Sequence, residues 1–185
     1  AAPTVTDAQP FTITGITVPA NGNAIIVYKA RVNQFAPVGL EGFITNTAVI
    51  TGAGLTNPIT VTDTVNSEAD VNLSIVKSLT PETVAENGQL TYILTIQNTG
   101  VVPAAIADNL VVTDTFDPVL DPISVTFNGT PWTEGVNYTY DETTGQFATV
   151  AGQITVPAAT YAQDPTTGAY VMTPGVSVIR VTGNI

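Results

Sequence analysis

The sequence lacks cysteine and histidine, and only four of its 185 residues are lysine or arginine. The missing residue types exclude a disulfide framework, a Cys/His zinc site, a histidine general base and a Ser-His-Asp triad. Four cations against fifteen acids give a formal net charge of −11, which argues against binding to nucleic acid or to an anionic membrane surface. We therefore predict no cofactor, no nucleic-acid partner and no enzymatic activity.

Long apolar runs are also missing, and none approaches the roughly 20 residues that span a bilayer. The segment AAPTVTDAQP at residues 1–10 is polar and does not resemble a signal peptide. Hydrophobic residues nevertheless make up 44% of the chain, whereas disordered chains combine low hydrophobicity with high charge. We therefore expect a folded chain without a membrane span.

Apolar and polar residues alternate with a period of two between turn signals, as in half-buried β-strands. The clear runs are 11–18, 24–33, 43–51, 59–65, 71–79, 89–97 and 110–116, and weaker ones cover 123–127, 136–140, 146–150, 153–156 and 176–182. Asn-Gly pairs at 21–22, 87–88 and 128–129 indicate tight turns with positive φ, and only 103–109 could form a helical turn. Many short strands at regular spacing predict an all-β fold of Greek-key β-sandwiches.

A short motif, ITVPA, occurs at residues 16–20 and again at 154–158. A turn and an apolar strand follow both copies, which indicates a repeated module. We interpret residues 1–69 as the C-terminal part of one module and residues 70–185 as the N-terminal and central part of the next. Neither module looks complete, and the second is expected to lack a closing strand after Ile185.

Four further motifs have an order and spacing typical of a known module. They are ITNTAV at 44–49, NLSIVK at 72–77, TYILTIQNTG at 91–100 and VTDT at 112–115. Together they resemble the conserved-repeat family of bacterial and archaeal surface proteins, also called domain of unknown function eleven. The resemblance covers nearly the whole chain in two incomplete pieces, the first motif corresponding to the closing strand. It implies Ig-like sandwiches in tandem on a cell envelope or an extracellular fibre, with no catalysis.

The incompleteness of the modules leaves two interpretations open. Either the 185 residues are part of a longer tandem chain, or a neighbouring chain supplies the missing strand and builds a head-to-tail filament by β-strand addition. An open sheet edge promotes aggregation, so a partner should cover it in either case. We therefore expect self-association between tandem modules or neighbouring subunits.

Polar side chains fall on the apolar side of several predicted strands, and they are Asn46, Lys77, Asn98 and Asp114. Because strand side chains alternate between two faces, parity places each of them toward the core. Lysine, asparagine and an acid are the groups that form an isopeptide bond, which cross-links pilins and adhesins with similar sandwiches. An apolar site favours the uncharged amine and the protonated acid that this chemistry needs.

In such a bond the Lys77 amine attacks a side-chain amide, Asp114 relays protons, and ammonia leaves. The amide is that of Asn98 or of an asparagine equivalent to Asn46 in a following or neighbouring module. A structural role remains the alternative: Lys77 and Asp114 would form an ion pair, and Asn98 would hydrogen-bond the turn that follows it.

Weaker candidates concern metal and sugar binding. Asp108, Asp117 and Asp121 share a loop-rich stretch and could bind Ca²⁺, but they lack the spacing of an EF-hand loop, which favours a solvated acidic loop.

Three aromatic residues, Trp132, Tyr138 and Tyr140, could form a platform for a sugar, although packing over the end of the sandwich is the commoner role of such residues. We therefore assign no binding site to them from the sequence.

The combined expectation is a structural protein outside the cell, a repeat segment of a cell-surface stalk, adhesin, filament or surface layer. Strong acidity and the absence of cysteine suit a chain that stays soluble and does not depend on redox state. The alternatives are a filament subunit assembled by strand complementation and an adhesin module that binds glycan or protein.

Overall fold

A computed structural model describes residues 2–8, 10–36, 42–66 and 69–185 of the chain. In these ranges almost all regular structure is antiparallel β-strand, which confirms the predicted all-β class. The exception is one 3-10 turn at Ile106–Asp108, within the segment 103–109 where a helical turn was expected. The chain divides into two compact units, residues 1–33 and 34–185.

The first unit contains a hairpin of β1 (Thr4–Ala8) and β2 (Phe11–Thr14). The Phe11 ring packs against Tyr28 with 5.2 Å between ring centroids. The prediction of a strand at 24–33 is wrong, because these residues have no regular secondary structure. Apolar alternation alone does not make a strand, since the backbone also needs a hydrogen-bonded neighbour.

The second unit begins with a hairpin of β3 (Phe43–Ile50) and β4 (Ile59–Asn66). The two strands pair in uninterrupted register, from Phe43 opposite Asn66 to Ile50 opposite Ile59. In the described chain this sheet has two strands, and all its side chains are exposed except that of Ile44, which is half-buried. Because its apolar side chains are exposed, they are available to a partner, and a partner would also stabilise a two-stranded hairpin, which is at best marginally stable in water.

The remainder of the second unit is a sandwich, whose strands follow in chain order. They are β5 (Leu73–Thr80), β6 (Gln89–Asn98), β7 (Thr113–Thr115), β8 (Ile123–Phe127), β9 (Thr130–Trp132), β10 (Tyr138–Asp141), β11 (Gln146–Thr149), β12 (Thr160–Gln163), β13 (Tyr170–Thr173) and β14 (Gly175–Asn184). The larger sheet has the order β5-β6-β14-β8-β9 and the smaller one β10-β11-β7, while β12 and β13 form a separate hairpin. The weak strand predicted at 153–156 is reduced to a single bridge between Val156 and Ala104.

The core lies between the two sheets and is formed by alternating inward residues. On β6 these are Leu90, Tyr92, Leu94 and Ile96, and on β14 they are Ile179 and Val181, all at most 4% exposed. Phe116 and Phe147 lie in the same cluster, and Tyr92 stacks on Phe116 with 4.6 Å between centroids. Each large apolar side chain buried in this way contributes about 1.5–3 kcal/mol to folding.

Turn positions agree closely with the sequence, whereas the unit boundary differs from the predicted module boundary. Asn21, Asn87 and Asn128 have φ of 57°, 60° and 49°, which confirms all three Asn-Gly turns. The compact units separate after Asn33, while the sequence repeat places the module boundary at residue 69. The repeat-based boundary stays a prediction, because compactness and repetition are different properties.

Candidate functional site

The sandwich is open along one side, where β5 is an edge of the larger sheet and β7 an edge of the smaller one. Ile75, Lys77 and Leu79 of β5 lie opposite inward-facing, buried residues of β6, so they face inward too. The smaller sheet does not extend over them, and Ile75 and Leu79 are 50% and 42% exposed. We call the inward face of β5, together with the edge of β7, the seam.

A salt bridge joins the two sides of the seam. The Lys77 Nζ lies 2.9 Å from Oδ1 and 2.7 Å from Oδ2 of Asp114 on β7. Asp114 points inward because its cross-strand partner is the buried Phe147. The side chains of Lys77 and Asp114 are 39% and 18% exposed, so the pair bridges the two sheets while remaining only partly buried.

Two aromatic rings lie beneath the ammonium group of Lys77. Its Nζ is 4.7 Å from the ring centroid of Tyr92 and 5.3 Å from that of Phe116. A cation near an aromatic face is attracted by the ring quadrupole. Burial, together with the nearby carboxylates of Asp117 and Asp114, raises the pKa of Tyr92 above its ordinary value. The rings therefore help to hold a charged group at an inward position.

Asn98, at the end of β6, is fully buried and binds backbone groups of separate segments. Its Oδ1 accepts the N–H groups of Asn72 and Gly100 at 3.1 and 2.9 Å. Its Nδ2 donates to the carbonyls of Val102 and Pro157 at 2.7 and 3.1 Å. Because both donors of the amide are engaged and its oxygen accepts twice, Asn98 acts as a structural centre that joins the entry to β5, the 98–102 turn and the loop before β12.

Two glycines make this close packing around Asn98 possible. A Cβ on Gly100 would overlap the carbonyl oxygen of Asp70, and one on Gly175, the β14 partner of Asn98, would overlap that of Pro157. Sequence reasoning proposed that Asn98 binds its own turn, but it missed the contact to Pro157 and the roles of both glycines. The only local signal was the Asn-Thr-Gly sequence at the end of an alternating strand.

The isopeptide candidates are only partly brought together. Lys77 and Asp114 are in contact, whereas Asn98 lies opposite Leu73, four residue pairs along the ladder from Lys77, or about 13 Å at the usual rise of a strand. Asn46 lies on the separate β3–β4 hairpin, directly opposite Asp63. The amine of Lys77 and the acid of Asp114 are thus in contact, but the amide of Asn98 is too far away to react with them.

The acidic residues proposed for Ca²⁺ show no arrangement that would hold an ion. In the ranges that the structure describes, no three acidic side chains form a group able to bind a metal, so Asp108, Asp117 and Asp121 are not gathered into a site. Asp108 instead accepts the N–H of Ala105 at 2.7 Å and closes its own 3-10 turn.

The three aromatic residues proposed for sugar binding do not form a platform. Tyr138 is only 4% exposed and belongs to the core. Tyr140 exchanges two hydrogen bonds with the backbone of Leu120, at 2.9 and 3.1 Å. Trp132 stacks on Phe127, with 5.0 Å between centroids. A platform requires exposed rings on one surface, and these rings are used in packing.

A shallow cavity of about 560 Å³ lies on the smaller sheet and is lined mainly by its outward residues. Its polar lining includes Thr113, Thr115, Thr139, Asp141 and Gln146. The Asp141 carboxylate accepts the N–H groups of Thr143 and Thr144, and the first of these bonds contributes most to lowering its pKa. Asp141 is therefore engaged in its own turn, and the hydroxyl groups around it form a polar sheet surface.

Comparison with family models, curated proteins and solved structures finds no significant match to this chain. The resemblance to the conserved-repeat family therefore stays a prediction. Among the described residues, no helix is long and apolar enough to cross a membrane.

Proposed function

We propose that this chain is a structural segment of an extracellular stalk, adhesin or filament, built from sandwich modules that complete one another. The observation that carries the proposal is the seam. There the inward face of β5 remains about half exposed, because the smaller sheet ends at β7. Natural proteins normally cover such edges. A module that leaves one open is suited to receive a strand from its neighbour.

The chemistry of the described surface also fits a structural role. The Lys77 ammonium is held by Asp114, and the polar cavity on the smaller sheet is lined by threonine hydroxyls and by Asp141, which caps its own turn. An acidic chain without cysteine is well suited to an oxidising exterior, because its stability needs no particular redox state. On this basis we propose a position outside the cell, as a member of the conserved-repeat family with Ig-like modules.

Covalent cross-linking is a second part of the proposal. Lys77 and Asp114 provide the amine and the acid of a Lys–Asn isopeptide bond, and the asparagine that fits is Asn46 of a neighbouring module. A bond forms between the Lys77 nitrogen and the Asn46 side-chain carbon, the bond from that carbon to the amide nitrogen breaks, and ammonia leaves. Before the attack, the Lys77 ammonium gives one proton to the Asp114 carboxylate with which it is paired. During the attack the lysine nitrogen loses a second proton, which the Asp114 carboxyl group relays to the departing nitrogen, so that ammonia leaves, Asp114 stays protonated and no oxidant or other reactant is needed.

Surface labelling of the native host tests the extracellular role. Antibodies against the sandwich are expected to stain intact cells along the envelope or its appendages, and shaving with an external protease should remove the signal. Antibodies against an intracellular protein of the same cells provide the control. Staining of the sandwich that appears only after permeabilisation would rule out the proposed function.

A further inference from the structure

At the seam, both apolar side chains and backbone groups of the edge strands are open to a partner. Just beyond the two ends of β7, the Phe116 N–H donates to the Gly145 carbonyl and the Val112 carbonyl accepts the Thr149 N–H, which fixes the alternation of the β7–β11 ladder. The N–H and C=O groups of Thr113 and the C=O of Thr115 consequently point away from β11, toward the open edge. An added strand could pair with them and cover the inward face of β5.

The β3–β4 hairpin has the matching property, an apolar face whose side chains are exposed except for the half-buried Ile44. Its register places Ile44, Ala48, Ile50, Ile59, Val61 and Val65 on one face, with Asn46 and Asp63 as a cross-strand pair in the middle. The opposite face carries mostly threonine. We call the first of these the apolar face of the hairpin. Val61 and Val65 on it are 59% and 64% exposed.

The seam and the apolar face of the hairpin share one pattern with opposite charges. On β5, Ile75 and Leu79 flank the cationic Lys77, and on β4, Val61 and Val65 flank the anionic Asp63. Both patterns repeat every second residue, so both have the same spacing of about 7 Å along a strand. Apolar groups can therefore meet apolar groups while the two charges meet each other.

The charges needed for this match are available. Asp63 is the only charged residue of the hairpin, and it accepts the N–H of Thr64 through one of its oxygens. The Lys77 ammonium has three donors, and more than a third of its side chain is exposed beside Asp114. It can thus accept a second acidic neighbour from the solvent side.

We propose that the β3–β4 hairpin of a second copy of this chain docks in the seam, with its apolar face inward and Asp63 and Asn46 beside Lys77. The hairpin does not occupy the seam of its own chain, because both surfaces are exposed in the same molecule. Donor and acceptor are different surfaces, so the contact is heterologous and extends into an open, head-to-tail chain unless its rotation closes a ring. This inference rests on the proposed structural function and names its partner.

Sedimentation of the full chain over a range of concentrations tests this docking. We expect assemblies that lengthen with concentration, without a closed end state. Val61→Lys should weaken association about tenfold or more, because it places an amine in the apolar contact. Val49→Lys provides a matched control, since Val49 has nearly the same exposure, 57% against 59%, but lies on the threonine face. It should associate like the unmodified chain.

The seam has a matched pair of its own. Ile75→Lys should weaken association to a similar degree, whereas Val76→Lys, at the next residue but on the outward face, should not. Thermal unfolding of each variant shows whether the sandwich is intact. If Ile75→Lys does not fold, Val61→Lys and Val49→Lys still decide the question, because they change only exposed positions of the hairpin.

Mixing the two impaired variants gives the sharpest test. Val61→Lys retains a working seam and Ile75→Lys a working hairpin. At a concentration where the unmodified chain assembles and each variant alone is monomeric, their mixture should therefore stop at a one-to-one dimer. Equal association of Val61→Lys and Val49→Lys, or an unmodified chain that stays monomeric at all concentrations, would overturn the docking. If the amides of the seam were protected from hydrogen exchange in such a monomer, the hairpin would be docked in the seam of its own chain instead. Surface labelling is independent of these results, so failure of docking and failure of the proposed function can be distinguished.

Discussion

At the scale of single residues, the Lys77–Asp114 pair shows how a charge can occupy an inward strand position. The ammonium lies against the rings of Tyr92 and Phe116 and contacts both carboxylate oxygens of Asp114. Solvent at the seam lowers the cost of burying the charges. The same solvent weakens their attraction, so the pair joins the sheets without dominating stability.

A double-mutant cycle measures this pair. Lys77→Met and Asp114→Asn, alone and combined, should show a coupling free energy of about 1 kcal/mol, the amount expected for a partly exposed ion pair assisted by aromatic rings. Chemical unfolding at low and high salt is the measurement, and salt should reduce the coupling. Additive effects of the two changes would show that the contact contributes nothing to stability.

Asn98 is expected to contribute more to stability than any surface charge. Asn98→Ala removes the four hydrogen bonds of this side chain. It leaves the N–H groups of Asn72 and Gly100 and the carbonyls of Val102 and Pro157 without these partners. We expect this to lower the free energy of unfolding by roughly 2–4 kcal/mol. Gln97→Ala, the outward neighbour on the same strand, is the control and should change stability by about 0.5 kcal/mol or less. The urea midpoints of the two variants give the comparison. Equal urea midpoints for the two variants would show that Asn98 does not have this structural role.

At the scale of elements, β14 and the β3–β4 hairpin represent opposite ends of a range of stability. β14 is paired on both sides and buried at alternate residues, whereas the hairpin has two strands and exposed faces. Local opening is easiest where few apolar contacts hold the backbone. The hairpin should therefore open long before the sandwich does.

Hydrogen exchange at two protein concentrations tests this difference. In dilute solution the amides of β3 and β4 should exchange much faster than those of β14, because their sheet has few contacts to break. At high concentration they should become protected together with the edge of β7, since docking would bury both. The protection of β14 serves as the internal reference. Unchanged exchange in the hairpin at high concentration would argue against a docked strand.

The same elements show what the sequence could and could not predict. The β6 strand could be predicted because large apolar residues recur at every second position from Leu90 to Ile96. The Asn-Gly turns could be predicted because few other residues adopt positive φ. Residues 24–33 have an equally good pattern and form no strand, because pairing depends on a neighbour that a local pattern cannot identify.

The candidate site was likewise predictable only in part. Parity indicated the inward positions of Lys77 and Asp114, since face alternation is local information. Their contact across two sheets, the distance of Asn98 from them and the overlap that requires glycine at 100 and 175 depend on how distant segments pack. Those features appear only when the chain is folded.

At the scale of the whole molecule, the main question is whether modules are joined by contact alone or also by a covalent bond. Docking would place Asn46 of one copy beside Lys77 and Asp114 of the next, and so complete the three groups of an isopeptide bond. The bond would convert an association that dilution reverses into one that withstands denaturation. A load-bearing fibre would gain from such a link, because pulling acts along the junction between modules.

Intact mass after denaturation tests the covalent link. Concentrated, aged protein should give a ladder of oligomers whose mass is lower than the sum of its chains by one ammonia for each junction, and peptide mapping should join Lys77 to Asn46. Lys77→Met and Asp114→Asn should abolish the ladder, because they remove the nucleophile and the proton relay. Lys29→Met, which changes a lysine of the first unit, should leave it intact. A single band at the full chain mass in the unmodified protein would mean that Lys77 and Asp114 act as an ion pair only, and that any fibre is held together without covalent bonds.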